Sequence, residues 1–390
     1  MKPRLLIVTT LRLTQRAFLL PFARHFRAKG WQVDSLAQGE ASEACRAAFD
    51  RLSHIEWTRD PFDPRNLLTL RKVREIVAAG DYDLVHVHTP VAAFITRLAL
   101  RGLEERPRVI YTVHGFHFHR GGSPFKNALF RAIEKVAGRW TDYLVVMNGE
   151  DLEAAHRYRI VPPERVRFMP GIGIDRNAYS QQAASAEAVA KVRRELGLAP
   201  ESPLFLMIAE MNANKRHPDI LHALARLRRK DVHLALAGSG PMEIQLGALA
   251  RTLGIERQVH FLGFRSDIPA LIGACAATLL PSAREGLPRS IMEAFCLERP
   301  CIGSDIRGIR DLIGNEFGKL VPVGDIDGFA AAMNWVLEHP AEVQRMGRAA
   351  GERMRAYDLS EIIRLHEELY ATALGAPGAV SLKTQSAEPV

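Results

Sequence analysis

An alternation restricts what this chain can fold into. Short β-branched runs are separated by longer stretches of helical period. In the first half the strand-like runs are "LLIVTT" (5–10), "WQVDSLA" (31–37), "HIEWT" (54–58), "DLVHVH" (83–88), "RVIYTVH" (108–114) and "YLVVM" (143–147). Between them lie stretches such as "RAFLLPFARHFRAKG" and "NLLTLRKVREIVAAG", each closed by Gly as a helix C-terminus should be. Strand–helix alternation of this kind builds a parallel sheet with helices on both faces. "SQQAASAEAVAKV" (180–192), poor in large apolar residues, reads as a linker running into a helix. The alternation then resumes with "PLFLMIAE" (203–210), "VHLALAG" (232–238), "VHFLG" (259–263) and "AATLLP" (276–281).

The expected class is therefore α/β, with two doubly wound Rossmann-like domains. The 390 residues, 47% of them apolar, suffice for two cores. The expected bounds are 1–178 and 190–357, then a helix over 358–374 packing back toward the first domain and a disordered tail over 375–390. Ligands of such sheets bind at the carboxyl ends of the strands, and two in tandem would face each other across a cleft.

The four cysteines, Cys45, Cys275, Cys296 and Cys301, show no CxxC spacing, which suits a reduced, cytoplasmic protein. No signal peptide or 18-residue apolar span is visible, so the expectation is a soluble or peripheral protein. Charge is uneven. Residues 1–170 hold 27 Lys+Arg against 18 Asp+Glu, a net of +9, while 171–390 hold 25 against 26. Either these are solvated surface charges or the first domain meets something anionic, such as a membrane surface. Aromatic residues do not interleave with the basic ones as in a nucleic-acid module, so no nucleic-acid partner is expected. Candidates for a membrane face are Arg12, Arg16, Arg24, Arg27 and Lys29, then Arg120, Lys126, Arg131 and Lys135.

The stretch "LLPSAREGLPRSIMEAF" (279–295) carries chemistry. A buried strand delivers the chain to the carboxyl edge, a Gly/Pro turn follows, and a helix opens. The first turn of a helix offers free N–H groups and a positive dipole end, which suits phosphate. Pro288 fits there because it has no N–H to lose. The N–H groups of Leu287, Arg289 and Ser290 stay available. Glu285 can accept sugar hydroxyls, and Glu293, two turns on, can grip a ribose diol. A nucleotide sugar presents its groups in that order.

This segment is similar to the signature of family 4 retaining glycosyltransferases of the GT-B fold. The resemblance runs through nearly the whole chain, including "YTVHGFHFHRGG", "MPGIGID", "AEMNANKR", "LAGSGP" and "CIGSDIRGIRDLI". Within the family the chain looks most like bacterial enzymes of lipid-linked glycan assembly, close to those that add N-acetylgalactosamine to an undecaprenyl-diphosphate-linked sugar. The resemblance implies Lys215 on the donor diphosphate, with Asn214 beside it. It implies Gly238, Gly240 and Gly286 in loops near the nucleotide, backbone near Phe264 at the base, and His114 facing the donor sugar. Gly238 and Gly240 can also be read as a plain tight turn. Two departures stand out. Glu210 occupies the position where the family commonly has a diphosphate-binding Arg. The loop after the first strand, "TTLRLTQRAFLLP", lacks the glycines of many relatives, so Thr10 or Arg16 would substitute.

His114, His117 and His119 alternate at a strand end. No Cys or acidic residue completes a metal site with them, and no metal or other cofactor is expected. Arg16, His86, His117 and His119 are the acceptor-side candidates; His86 fits a packed core histidine equally well. The implied reaction is metal-independent, retaining hexosyl transfer from a nucleotide diphosphate sugar, UDP-linked, to a lipid-diphosphate-linked glycan at the inner membrane face. The catalytic candidates are His114, Glu285 and Lys215. The alternatives are a nucleotide-sugar epimerase of the same fold, a transferase using a GDP-sugar and a soluble acceptor, and a catalytically dead binding subunit.

Overall fold

A computed structural model describes residues 2–58, 60, 63–119, 121–314 and 316–375. The tail expected over 375–390 lies, beyond Gly375, outside the described residues, as does Arg120. The chain forms two compact units, Met1–Ile172 with the segment from Ser360 onward, and Gly173–Leu359.

The first unit holds β1 (Arg4–Leu11), β2 (Gln32–Gln38), β3 (Arg51–His54), β4 (Leu84–His88), β5 (Arg108–Val113), β6 (Tyr143–Val146) and β7 (Val166–Phe168). Among the described residues they make one seven-stranded sheet in the order β3-β2-β1-β4-β5-β6-β7. All neighbours are parallel; Leu5 of β1 lies opposite Val33 on one side and Leu84 on the other. β1 and β4 are central and covered on both faces, which is why their sequences run apolar rather than alternating.

The second unit holds β8 (Leu204–Ile208), β9 (His233–Ala237), β10 (Val259–Gly263), β11 (Ala277–Leu280), β12 (Cys301–Ser304) and β13 (Gly318–Val321). Their order, β10-β9-β8-β11-β12-β13, is again parallel and doubly wound. The architecture is thus α/β with two Rossmann-like sheets.

The elements differ from the sequence expectation in places with clear causes. The third strand ends at His54, before most of the apolar run expected to form it. Ile55 and Trp57 are buried just beyond it, and the Trp57 indole donates to the Thr10 carbonyl at 2.8 Å. The stretch after β1 is not one helix. After a short α-helical turn, Arg12–Thr14, it splits into a π-helical piece, Gln15–Leu19, and a second, α-helical piece, Leu20–Ala28. Pro21 has no N–H for the ladder and sits in the first turn of the second piece. β7, β12 and β13 were not expected. β7 has three residues, and β13 opens on Gly318, where a Cβ would meet the Cys301 carbonyl oxygen at 2.0 Å.

The units divide at Ile172/Gly173, ahead of the linker expected between 178 and 190. The cause is local pairing. Ile174 bridges Asp358 in parallel; its amide donates to the Tyr357 carbonyl at 2.9 Å, and the Leu359 amide donates to the Ile174 carbonyl at 3.0 Å. The outgoing and returning crossings therefore run side by side. The returning chain forms the helix Leu359–Ala373, which joins the first unit. His366 packs on Phe22 and Tyr370 on Phe26, with ring centroids 4.7 and 4.8 Å apart.

Candidate functional site

β8 and β11 are adjacent in the second sheet, and the segments leaving their carboxyl ends are stitched together. The segment after β8 makes a 3-10 turn, Ala213–Lys215, capped by the Asn212 side chain. The Ala283 amide donates to the Asn214 carbonyl at 2.8 Å, and Asn214 Nδ2 donates to the Arg284 carbonyl at 2.9 Å. So the amide of Asn214, expected on the donor, ties the two loops. The stitch brings Lys215 Nζ to 2.5 Å from Glu285 Oε1. Both side chains are partly shielded, with 22% and 12% exposure. This is a charge-assisted bond in a half-dry setting, stronger than an exposed pair.

Three residues separate Glu285 from the eight-residue helix Arg289–Cys296, with Pro288 at its N-cap. Leu287, Arg289 and Ser290 are half-buried at its start. Glu293 lies on the packed face and is buried. Its Oε1 accepts from the Tyr179 hydroxyl at 2.7 Å and pairs with Arg289 Nε at 3.0 Å. Burial pushes the Glu293 carboxyl up, against the pull of Arg289 and Tyr179. The Gly286 carbonyl lies against Gly308, which has φ +75°; a Cβ on Gly308 would fall 1.9 Å from that oxygen.

Gly238 and Gly240 have a structural reason of their own. A Cβ at 238 would meet the Ala209 carbonyl oxygen at 2.1 Å, and one at 240 would meet that of Met211 at 2.4 Å. Both let the segment after β8 cross closely over the segment after β9. The Gly238 amide also donates to the Gly263 carbonyl at 2.8 Å, which fixes the start of the loop bearing Phe264. The Phe264 ring is 85% exposed. Glu210 is exposed as well.

The remaining candidates belong to the first unit. His86 and His88 are buried on β4, stacked with centroids 4.1 Å apart. His86 is a packed core histidine, with Nδ1 2.6 Å from the Tyr370 hydroxyl and Nε2 2.7 Å from that of Thr112. His88 Nδ1 shares a proton with His114 Nε2 over 3.1 Å. Burial pushes His114 down to about 4, and it drives His86 and His88 well below the usual histidine range, helped by neighbouring histidines. These rings are neutral at pH 7. His117 packs on Phe130 at 5.0 Å, and the His119 carbonyl accepts from Asn127 Nδ2 at 2.9 Å. Among the described residues no group of three or more His, Cys, Asp or Glu is placed to hold a metal.

Residues 17–176 match the family described as "Glycosyltransferase Family 4", and residues 189–353 match "Glycosyl transferases group 1". A curated relative from Bacillus subtilis, "Putative glycosyltransferase EpsD", is 31% identical over 95% of this chain and 97% of its own. The chain belongs to the group 1, family 4 glycosyltransferases. An Escherichia coli relative, "UDP-Gal:alpha-D-GlcNAc-diphosphoundecaprenol alpha-1,3-galactosyltransferase", is 29% identical over 70% of each chain. Among solved structures, Anabaena HepE in complex with UDP and glucose superposes with a TM-score of 0.79 at 20% identity, covering 95% of this chain and all of its own. That likeness shows the GT-B fold.

The glycosyltransferase also carries an outward apolar stripe on the helix Pro124–Gly138 of its first unit. Phe125, Leu129 and Val136 are 79%, 36% and 44% exposed, and spacings of four and seven put them on one face. Lys126, Lys135 and Arg139 are exposed around it. The helix's acidic residue, Glu134, is buried and paired with Arg97 at 3.0 Å. Other basic residues expected on a membrane face are engaged. Arg12 is buried, with bonds to Ser35 and to the carbonyls of Ala37, Gly39 and Ser53. Arg131 lies over the Tyr158 ring, Arg27 pairs with Asp50, and Lys29 pairs with Glu367. Arg16 is exposed and lines an open pocket of about 280 Å³ with Leu11, Leu13 and Glu40. No described helix is long and apolar enough to cross a membrane.

The sequence pattern gave no hint of Tyr179. It lies 114 residues from its partner Glu293, outside every local motif.

Proposed function

We propose that this glycosyltransferase moves a hexose or N-acetylhexosamine, with retention, from a UDP-linked donor to a sugar hydroxyl of a lipid-diphosphate-linked glycan. The observation that carries the proposal is the Lys215–Glu285 pair beside the helix Arg289–Cys296. In this reading Lys215 is the cation for a leaving diphosphate and Glu285 the carboxylate for the sugar, with a second carboxylate, Glu293, one turn into the helix. The activity for which the Escherichia coli relative is named supports a UDP donor and a lipid-diphosphate acceptor.

The acceptor hydroxyl attacks the anomeric carbon on the face that the diphosphate leaves. The bond to the diphosphate breaks as the new C–O bond forms, and the acceptor proton passes to the departing diphosphate oxygen. Lys215 and the amides of Arg289 and Ser290 stabilise the charge collecting there, which is the main catalytic term. Glu285 orients the sugar. His114, neutral, supports the developing positive charge as a dipole and not as a cation. Glu210 is exposed, so water screens its charge from the diphosphate. No divalent ion is required. The apolar stripe with its basic surround suits an anionic bilayer, where each nearby basic residue contributes roughly 1 kcal/mol.

A panel of UDP- and GDP-sugars against lipid-diphosphate acceptors, read by mass, tests the proposal. Transfer from a UDP-hexose or UDP-N-acetylhexosamine is expected. Conversion of a donor sugar without acceptor would mark an epimerase instead.

A further inference from the structure

Glu293 stands with one oxygen already engaged. The Tyr179 hydroxyl and Arg289 Nε both meet Oε1, at 2.7 and 3.0 Å. Among the described residues no hydrogen bond falls on Oε2. A carboxyl so deeply buried tends to take up a proton, and a hydroxyl donor and a guanidinium cation on one oxygen oppose that. Burial, then the Glu293 charge, push the Tyr179 hydroxyl above its usual range, so it stays a donor through the neutral range.

Tyr179 is held independently of Glu293. It follows the outgoing crossing by five residues, and its amide donates to the Asp175 carbonyl at 3.3 Å. Its ring packs beside two apolar clusters of the second unit, one containing Ile291 and Phe295 and the other Ala184 and Leu271. Arg289 is on Glu293's own helix, one turn earlier, whereas Tyr179 comes from a distant segment. The two grip Oε1 from different parts of the chain.

We infer that Tyr179 is a positioning residue for the donor's ribose. With Arg289 it pins Oε1, keeps the buried carboxyl ionised and turns Oε2 toward the 2′,3′-diol. The assignment rests on Glu293 being the diol carboxylate. It adds that the opening segment of the second unit, ahead of its first strand, supplies part of the nucleotide site.

The test is calorimetric binding of UDP and 2′-deoxy-UDP to the full chain as a function of pH. The wild-type chain is expected to prefer UDP about tenfold, the weight of one hydrogen bond to a charged group. Tyr179→Phe keeps the ring and loses the hydroxyl. It should weaken UDP about tenfold, shrink the preference over the deoxy ligand, and move the acidic limb of the binding profile upward by about one pH unit. Glu293→Gln should abolish the preference and the limb together, and Tyr179→Phe should then add nothing. If wild type binds both ligands alike, or Glu293→Gln binds as wild type does, the diol role of Glu293 fails and this inference with it. If Glu293→Gln behaves as expected but Tyr179→Phe keeps the wild-type preference and limb, only the positioning role is overturned. A lowered Tm in Tyr179→Phe with an unmoved profile overturns it equally.

Discussion

Replacing Lys215 by Met tests the catalytic core most directly. The substitution keeps the length of the stem and removes the charge. Lys215 Nζ lies 2.5 Å from Glu285 Oε1, with both groups mostly shielded from water. At an effective dielectric of about 20, two unit charges about 4 Å apart interact by roughly 4 kcal/mol. A diphosphate gathering charge at that position would feel a field of similar size. Removing one preorganised contact of this kind costs about 3–4 kcal/mol in the transition state, a fall of roughly 10²–10³ in kcat. The donor KM should change far less, because the charge on the leaving oxygen grows only as the bond breaks. Single-turnover transfer at saturating donor measures this, with Lys215→Arg as the charge-keeping control. The Lys215→Met and Glu285→Gln effects should also fail to add, since the two groups touch. A Lys215→Met enzyme with kcat within threefold of wild type and a donor KM raised a hundredfold would refute the catalytic role and leave Lys215 a ground-state binder.

Activity should survive EDTA if, as proposed, Lys215 and helix amides meet the diphosphate; a complete loss restored by magnesium would overturn that phosphate site. The chain should co-sediment with anionic but not neutral vesicles at low salt, and release as the Debye length shrinks to about 8 Å. Phe125→Asp should weaken that binding, and equal sedimentation with both vesicle types would remove the membrane face. Acid should destabilise the first unit. His114 and His366 are pushed down to about 4 by burial, and His86 and His88 well below their usual range, so the folded chain keeps all four neutral. The unfolded chain protonates its histidines near 6.5, so stability falls as pH drops from there toward 4, by roughly 1 kcal/mol per histidine per pH unit. Urea midpoints that match at pH 7.5 and 5.5 would contradict this.

Local pattern revealed much of the fold. The strands β1, β4, β5, β8 and β9 announced themselves as apolar runs because sheets covered on both faces need them. β12 and β13 did not, since Pro300 precedes one and Gly318 opens the other. Of the proposed donor site, Glu285, Glu293 and the helix start share one continuous stretch and could be read together. Lys215 came from a separate stretch, and only the bonds from Asn214 to the 283–284 backbone show what it faces. Tyr179 and the His88–His114 bond depend on which strands and connectors become neighbours, and no residue near them in sequence encodes that. The glycines at 238 and 240 were legible as special, but their reason is crowding by the 209–211 backbone, which only the three-dimensional crossing reveals.

The helix Leu359–Ala373 has a consequence for how the protein is made. It completes the first unit, yet it is synthesised after the whole of the second. At about 5–20 residues per second, the roughly 190 residues in between take about 10–40 s to emerge. During that interval the first sheet waits with Phe22, Phe26 and His86 lacking His366 and Tyr370. The second unit, one uninterrupted stretch, can finish folding before the unit that began first. A ribosome stalling near residue 359 would release a complete second unit joined to an unfinished first one. Such a fragment should expose to chaperones the apolar face that His366 and Tyr370 otherwise cover, which would make the helix Leu359–Ala373 a completion check on the nascent chain.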